Sequence, residues 1–211
     1  MEQANNSMNI VRNMIISAIV LALFAITGTF FVSYTYENTI DRISKNKRQA
    51  LLKAFHVLIS PADHNNDIFT DIKQVTDKNL LGSKKPVNVY RARKNDKPVA
   101  VIINSVAPDG YNGKIELLVA IKYSGVLAGV RVVDHKETPG LGDAIEENRS
   151  DWITKFKLLS LTNPDKKGWA VKRDGGEFDQ FTGATITPRA VVKAVYNTLS
   201  YYKEHRDTIY E

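Results

Sequence analysis

The stretch from Lys114 to Asp134, KIELLVAIKYSGVLAGVRVVD, decides the fold class of this chain. Two runs of mainly apolar and β-branched residues, 114–122 and 126–134, lie on either side of the turn YSG. Two such runs separated by three residues that include a glycine are typical of a β-hairpin. Strands joined by so short a turn run antiparallel. The stretch therefore predicts an antiparallel sheet that contains this hairpin.

Further strands are expected on both sides of the hairpin. Residues 87–93, VNVYRAR, alternate in polarity, and residues 98–106, PVAVIINSV, are apolar and rich in β-branched side chains. Both patterns are typical of strands, and the turn signals within 108–113 separate them from the hairpin. GWAVKR, at 168–173, predicts another strand, whereas the polar residues 65–85 predict a loop with a short helix.

Two helices are expected after the sheet. One begins after Gly142 and ends near Asn148, and the other runs from Pro188 to about Lys203. Thr187 is expected to cap the second helix, because threonine is a common N-cap and proline suits the first helical position. The apolar stripe of this helix consists of Val191, Val195, Leu199 and Tyr202. Strands followed by helices that pack on them give an α+β fold class.

An uncharged apolar run precedes the sheet. Residues 14–32 read MIISAIVLALFAITGTFFV, and as a helix they would span roughly 28 Å, close to the bilayer core of about 30 Å. A cleaved signal peptide is the rival interpretation, but its apolar region is usually shorter, and no small-x-small cleavage site follows this run. The run therefore favours an uncleaved transmembrane anchor, which together with the N-terminal tail comprises 1–36.

An amphipathic helix is expected to follow the anchor. Residues at steps of three and four form one face, which would pack on the globular domain before the helix ends near Ser60-Pro61. These residues are Ile40, Ile43, Lys47, Leu51, Ala54 and Leu58. We assign 37–85 to this helix and a polar connecting segment, and 86–211 to the folded domain.

Composition excludes several functional classes. The net charge is +6, and the small basic clusters at 45–48 and 84–85 form no stripe with interleaved aromatics. A solvated basic face is therefore expected rather than a nucleic-acid site. The chain has no cysteine, which excludes thiol catalysis, disulfides and iron–sulfur ligation through cysteine.

The sequence also lacks the usual catalytic motifs. The nucleophile elbow, the P-loop and the G-x-G-x-x-G fingerprint do not occur, so no catalytic residue is assigned. No metal site is expected, because the other three histidines share no ligand spacing with His135.

Two loops could hold a ligand. DQFTGATITP, at 179–188, gathers three threonines and a glycine before a helix, and a helix N-terminus attracts anions such as phosphate. HKETPGLGD, at 135–143, follows the hairpin, and loops at strand ends often bind ligands. Each loop also has a simpler interpretation, the first as an ordinary capped helix start and the second as a chain reversal.

Both loops resemble those of a known family. The residues DQFTGAT, at 179–185, match the D-x-x-[ST]-G-A-T pattern of proteins that carry FMN covalently. The segment from Gly113 to Asp143, which ends in HKETPGLGD, resembles the G subunit of the Rnf electron-transport complex. It is more distantly similar to the C subunit of the sodium-pumping NADH:quinone reductase. The order of parts agrees over nearly the whole chain.

The resemblance implies where the flavin is held. Thr185 would accept FMN through a phosphoester, attached by a separate flavin transferase that recognises the motif. The flavin-binding residues implied by the two loops are Thr185, Thr182, Gly183, Ala184, Asp179, Glu137, Thr138, Gly140, Leu141 and Gly142. Near the motif, Lys172, Arg173 and Arg189 could bond flavin oxygens or could be solvated surface charges.

The resemblance also implies a role. The chain would relay electrons in an ion-translocating ferredoxin:NAD⁺ oxidoreductase of the bacterial inner membrane, with the other membrane subunits as partners. The alternative is a cofactor-free, membrane-anchored binding or assembly module. A role in reducing a transcription factor would use the same flavin.

Charge and family resemblance predict different sides of the membrane for the folded domain. Lys and Arg are more frequent after the span than before it, which favours a cytoplasmic domain under the positive-inside rule. Large domains cross the membrane largely regardless of charge, so this indication is weak. The family implies a periplasmic domain, which we adopt as the expectation because a transferred flavin needs the extracytoplasmic side.

Overall fold

The computed structural model describes residues 2–211, with side chains from Val11 onward except at positions 44, 47, 48 and 50. The helices are α1 (Glu2–Leu58) and α2 (Ile186–Tyr210). The strands are β1 (Ile72–Val75), β2 (Val87–Lys94), β3 (Lys97–Gly110), β4 (Gly113–Lys122) and β5 (Leu127–Asp134). Three 3-10 turns follow β5, at Gly142–Ile145, Trp152–Phe156 and Lys172–Asp174. The chain divides into two compact units, one that ends at Ala50 and one that comprises Leu51–Glu211.

The first unit contains the predicted apolar helix. Within α1, Val11–Ile43 is long and apolar enough to cross a bilayer, and none of its apolar window is buried. The expected N-terminal span at 14–32 lies inside this segment. As predicted, the helix ends just before Ser60-Pro61. The side chain of Lys47, expected on the amphipathic face, lies outside the described residues.

The second unit is built on an antiparallel meander. The strand order is β1-β2-β3-β4-β5, so every strand pairs with its neighbour in sequence. The hairpin predicted at 114–134 is β4–β5, in which Leu118 lies opposite Arg131 and Ala120 opposite Gly129. Since the structure joins this sheet to helices packed on it, the α+β class is confirmed.

The two faces of the sheet are both buried. Val101 and Ile103 point to the side covered by α2, where they share a core with Val191 and Val195. Ile102, between them, points to the opposite side and packs with Phe55 from the end of α1. This alternation follows from the two-residue period of a strand. It explains why the strand at 98–106 is apolar on both faces rather than alternating.

Three local predictions are wrong. Residues 72–75 form the edge strand β1 instead of part of a loop with a short helix, because β2 offers an unpaired edge to them. The expected strand at 168–173 forms one bridge, Val171 to Phe178, since the left-handed Gly175 (φ 87°) turns the chain back. The helix expected at 142–148 is a single 3-10 turn, because Glu146 is extended.

Helix α2 is longer than predicted and is tied down at its C-terminus. It reaches Tyr210 rather than Lys203. Arg91 and Arg93 both bond Asp71, at 2.5 and 2.9 Å. The same two arginines donate to the carbonyls of the last helical residues, at 3.3 and 2.6 Å. Cations at a helix C-terminus interact favourably with its free carbonyls.

Candidate functional site

The two loops singled out in the sequence meet in one cleft of the second unit. The cleft has a volume of about 570 Å³, within the roughly 300–1,000 Å³ typical of small-molecule sites. Its walls come from the β3–β4 turn, the loop after β5, the 3-10 turn at 172–174 and the start of α2. The lining residues are Tyr111, Glu137, Thr138, Leu141, Gly142, Arg173, Gly183, Ala184, Thr185, Ile186 and Thr187.

Seven of the ten predicted flavin-binding residues line this cleft. Gly140, Asp179 and Thr182 are not among its lining residues. Gly140 adopts a left-handed conformation (φ 78°), so it shapes the loop. Thr182 is exposed. The cleft therefore joins the two loops, while three of the predicted positions lie outside its walls.

Glu137 holds the walls of the cleft together. Its side chain is buried, and its carboxylate accepts hydrogen bonds from the backbone N–H groups of Asn112 at 3.0 Å and Tyr111 at 3.4 Å. The same carboxylate accepts the hydroxyl hydrogen of Thr187. Three separate segments are thus joined at one side chain. A buried carboxylate needs such donors, because burying an unpaired charge is very costly.

Gly142 is required by the close packing around this carboxylate. A Cβ added at Gly142 would lie 2.9 Å from both Cβ of Glu137 and Oγ1 of Thr187. These separations are shorter than van der Waals contact. A larger residue at this position would therefore displace Glu137, Thr187 or both.

Thr185 stands at the start of α2 with its hydroxyl unused. It occupies the N-cap position, and its side chain makes no capping hydrogen bond. Among the described residues its hydroxyl has no hydrogen-bond partner. The first N–H groups of an α-helix also lack acceptors within the helix. The cleft therefore contains an available hydroxyl beside unsatisfied backbone donors.

The predicted cap of α2 is wrong. Helix α2 begins at Ile186, so Thr187 is its second residue and Pro188 its third. Proline is tolerated there because the first turn needs no intrahelical N–H donor. Thr187 is fully buried and bonds Glu137 instead of the helix backbone.

The three cations near the motif have different surroundings. Lys172 pairs with Asp179 at 2.6 Å. Arg189 makes two bonds to Asp174, at 2.5 and 2.7 Å. Arg173 lines the cleft, and its guanidinium has no ion pair among the residues the structure describes. The sequence alone does not show which of the three cations is paired, because the turn at 172–174 determines which carboxylate each one reaches.

Asp179 is not a lining residue of the cleft, but it fixes the loop 179–185 to the rest of the domain. Its carbonyl accepts the indole N–H of Trp152 at 2.8 Å. Its carboxylate pairs with Lys172 and, at 3.3 Å, with Lys155. Hydrogen bonding to Lys172, and then to Lys155, holds the pKa of this carboxyl below its usual value. Asp179 is therefore ionised at neutral pH.

His135 lies beside the cleft and is fully engaged. Its Nδ1 accepts the backbone N–H of Glu137 at 3.0 Å, so the hydrogen lies on Nε2, which donates to Glu146 at 2.7 Å. The ring thereby fixes the start of the loop that carries Glu137.

Comparisons with known proteins agree with this geometry. Residues 110–200 match the family model of the FMN-binding domain, and residues 8–58 match that of the RnfG N-terminal region. The chain is 45% identical to the G subunit of the ion-translocating oxidoreductase complex of Pseudoalteromonas atlantica, over 92% of this chain and 90% of that one. It belongs to the family of G subunits of ion-translocating oxidoreductase complexes.

Other members of the family match to a similar extent. The G subunit of Shewanella baltica is 44% identical, over 93% of each chain, and that of Aliivibrio fischeri is 42% identical, over 92% of each. The FMN-binding region includes every lining residue of the cleft. The residues that the structure describes contain one apolar helix long enough to cross a bilayer. As a G subunit with this helix, the chain is a single-pass membrane protein.

Sequence reasoning missed Tyr111 and Ile186 as lining residues and gave Thr187 a different role. Tyr111 lies within PDGYNG, whose glycines and asparagine predict a turn and nothing about the tyrosine side chain. Ile186 interrupts the polar motif as a lone apolar residue. Neither position has a local pattern that predicts a cleft, because the cleft exists only when the β3–β4 turn meets α2.

Proposed function

We propose that this G subunit carries FMN as a phosphoester on Thr185 and relays electrons within an ion-translocating oxidoreductase complex of the ferredoxin:NAD⁺ type. The other membrane subunits of that complex are its partners. The observation that carries the proposal is the hydroxyl of Thr185, which lines the cleft without a hydrogen-bond partner among the described residues. A hydroxyl used for capping would have to leave its partner before it could be esterified.

Attachment requires a separate flavin transferase. The Oγ1 atom of Thr185 forms a bond to the phosphorus that carries the flavin in an activated flavin nucleotide. The bond from this phosphorus to the oxygen of the leaving phosphate group breaks, and that oxygen keeps the electron pair. The hydroxyl proton passes to a base of the transferase. Thr182, Gly183 and Asp179 belong to the segment that this enzyme recognises. Gly183 supports this role, because it is exposed and adopts a left-handed backbone (φ 80°) two residues before Thr185.

The residues of the cleft suit the phosphate group of FMN. The free N–H groups at the start of α2 attract an anion, with an effect of roughly 0.3–1 kcal/mol. Arg173 supplies a guanidinium that forms no ion pair with the described residues, and arginine matches the geometry of phosphate oxygens. Lys172 and Arg189 are already paired, so among these three cations we assign the phosphate to Arg173.

A relay needs its cofactor at fixed distances from its neighbours. Bound FMN supplies one- and two-electron chemistry, while the protein sets its position and surroundings. An ester bond at the start of a rigid helix restricts where the flavin can be, and Glu137 fixes that helix start against the β3–β4 turn. The membrane anchor tethers the domain to one side of the bilayer, which we propose is the periplasmic side.

In-gel fluorescence tests this function. The full chain is expressed with a flavin transferase, resolved on a denaturing gel and viewed under ultraviolet light. The wild-type band fluoresces, Thr185→Val abolishes the signal, and Thr185→Ser retains the acceptor hydroxyl and regains signal. Thr162→Val, which changes an exposed threonine outside the cleft, is the matched control and fluoresces as the wild type does.

Two results would change the proposal. A dark wild-type band would favour the cofactor-free assembly module. Fluorescence that survives in Thr185→Val would move the acceptor to Thr182 or Thr187.

A further inference from the structure

Three apolar side chains around the cleft are exposed. Tyr111 is 66% exposed, and Leu141 and Ile186 are each 44% exposed. They come from the β3–β4 turn, the loop after β5 and the first residue of α2, so three distant parts of the sequence bring them to one opening. Single exposed apolar residues are ordinary, but a group at the mouth of a cleft marks a surface that binds something.

Tyr111 is exposed and yet held in place. Its own N–H and that of Asn112 bond the buried Glu137, and the Asn112 side chain donates to Thr138 at 3.1 Å. Among the described residues its ring contacts no other aromatic ring, and its hydroxyl has no hydrogen-bond partner. A large aromatic side chain is thus presented on a fixed turn without an intramolecular partner.

Tyr123, at the opposite end of β4, is a comparable tyrosine that does have neighbours. Tyr123, also beside a hairpin turn, packs against the ring of Tyr210 at 5.6 Å and lies under the guanidinium of Arg206. Tyr111 lacks such neighbours among the described residues, so its exposed face is available to a ligand in the cleft.

The lining of the cleft combines polar and apolar side chains. Thr185 and Arg173 provide a hydroxyl and a cation, whereas Tyr111, Leu141 and Ile186 provide apolar surface around the same space. A ligand that contacts both kinds of side chain has an anionic group joined to a flat, largely apolar ring system. Aromatic rings prefer offset stacking or edge-to-face contact with such a system.

We propose that Tyr111, supported by Leu141 and Ile186, is the platform on which the isoalloxazine ring of the FMN on Thr185 rests. This inference rests on the proposed function and deepens it, because it names the side chains against which the ring lies. Tyr111 is a positioning residue. It forms no bond to the flavin and fixes where the ring lies relative to the ester.

Flavin fluorescence in the native state tests the platform. A tyrosine in contact with an excited flavin quenches it by donating an electron, whereas phenylalanine cannot. The full chain, loaded with FMN and purified in detergent without the other subunits, is compared before and after denaturation. The wild type is expected to be strongly quenched until it is unfolded.

The variants separate stacking from folding. Tyr111→Phe keeps the ring shape and is expected to raise native fluorescence several-fold, while Tyr111→Trp restores the quenching. Tyr123→Phe, at the far end of β4, is the matched control and leaves the quenching unchanged. Covalent loading on a denaturing gel is expected to be equal in all of these proteins.

The outcomes distinguish the two proposals. A wild-type chain without covalent flavin contradicts the proposed function itself. A loaded Tyr111→Phe chain that is quenched as strongly as the wild type overturns the platform and leaves the attachment at Thr185 intact. Native wild-type fluorescence equal to that of the unfolded wild type also overturns it, because the ring would then be free of tyrosine contact.

Discussion

Thr187, in the first turn of α2, donates its hydroxyl hydrogen to the carboxylate of Glu137, which lies 50 residues earlier in the chain. Both side chains are buried, and the bond connects the helix that carries the motif to the loop that follows the sheet. Glu137 is bonded at the same time to the β3–β4 turn. One carboxylate therefore fixes the relative positions of three walls of the cleft.

Thr187→Val is expected to destabilise the folded domain. Valine keeps the shape but removes one of the donors to a buried carboxylate, a loss that costs about 1–3 kcal/mol. The midpoint of urea unfolding, followed by tryptophan fluorescence, should fall, while Thr162→Val at an exposed site should change the free energy of unfolding by less than about 0.5 kcal/mol. Equal midpoints for Thr187→Val and the wild type would show that this hydrogen bond does not stabilise the fold.

Arg173→Gln is expected to change the environment of the flavin phosphate without preventing attachment. The ³¹P resonance of the phosphoester should shift, because a charged donor to its oxygens has been removed. Lys166→Gln removes the same charge from an exposed position outside the cleft and should leave the resonance in place. If both variants give the wild-type spectrum, Arg173 is a solvated surface charge.

Lys172→Gln is expected to raise the pKa of Asp179. Hydrogen bonding to Lys172 is the largest cause of the lowered pKa, so its loss moves the carboxyl toward the ordinary value of about 3.9. Because the folded pKa is depressed, any stability from this pair is present above the unfolded pKa and is lost as the pH falls through the folded pKa. An NMR titration of the Asp179 carboxyl group gives its pKa in the wild type and in Lys172→Gln. An unchanged pKa in Lys172→Gln would assign the shift to Lys155.

Asp71→Asn is expected to loosen the C-terminus of α2. The substitution leaves Arg91 and Arg93, both largely buried, without their shared carboxylate. A cost of about 1–3 kcal/mol is expected from losing hydrogen bonds to charged groups, seen as a lower midpoint of thermal or urea unfolding. Asp207→Asn, whose side chain is 80% exposed in its pair with Arg206, should have almost no effect. Similar losses in both variants would contradict this account.

The sequence was sufficient for the features that depend on local patterns. The hairpin at 114–134, the apolar helix and the two loops of the cleft were all identifiable from composition, spacing or resemblance. The sequence predicts Thr187 as the cap of α2, because threonine before proline fits the usual helix start. A carboxylate 50 residues away binds that hydroxyl instead. The role of Thr187 is therefore set by a tertiary hydrogen bond, which cannot be predicted from the residues near it in the sequence.

The same reason explains the missed residues and the strand at 168–173. Tyr111 becomes a cleft residue only because Glu137 holds its turn against α2. The run GWAVKR has strand-like composition, but Gly175 reverses the chain before a strand can pair. Arg173 differs from Lys172 and Arg189 only through which carboxylates the fold places within reach.

The unused hydroxyl at the start of α2 has a consequence for how the protein matures. A helix whose N-cap side chain makes no bond begins with an incompletely satisfied first turn. A phosphoester on Thr185 would place a negative charge there, with a stabilising effect of roughly 0.3–1 kcal/mol. We expect amide hydrogen exchange at residues 186 and 187 to slow once the flavin is attached, and to be unaffected near Tyr210. The transferase would then complete a helix as well as deliver a cofactor, so newly made and finished chains would differ in rigidity at the start of α2.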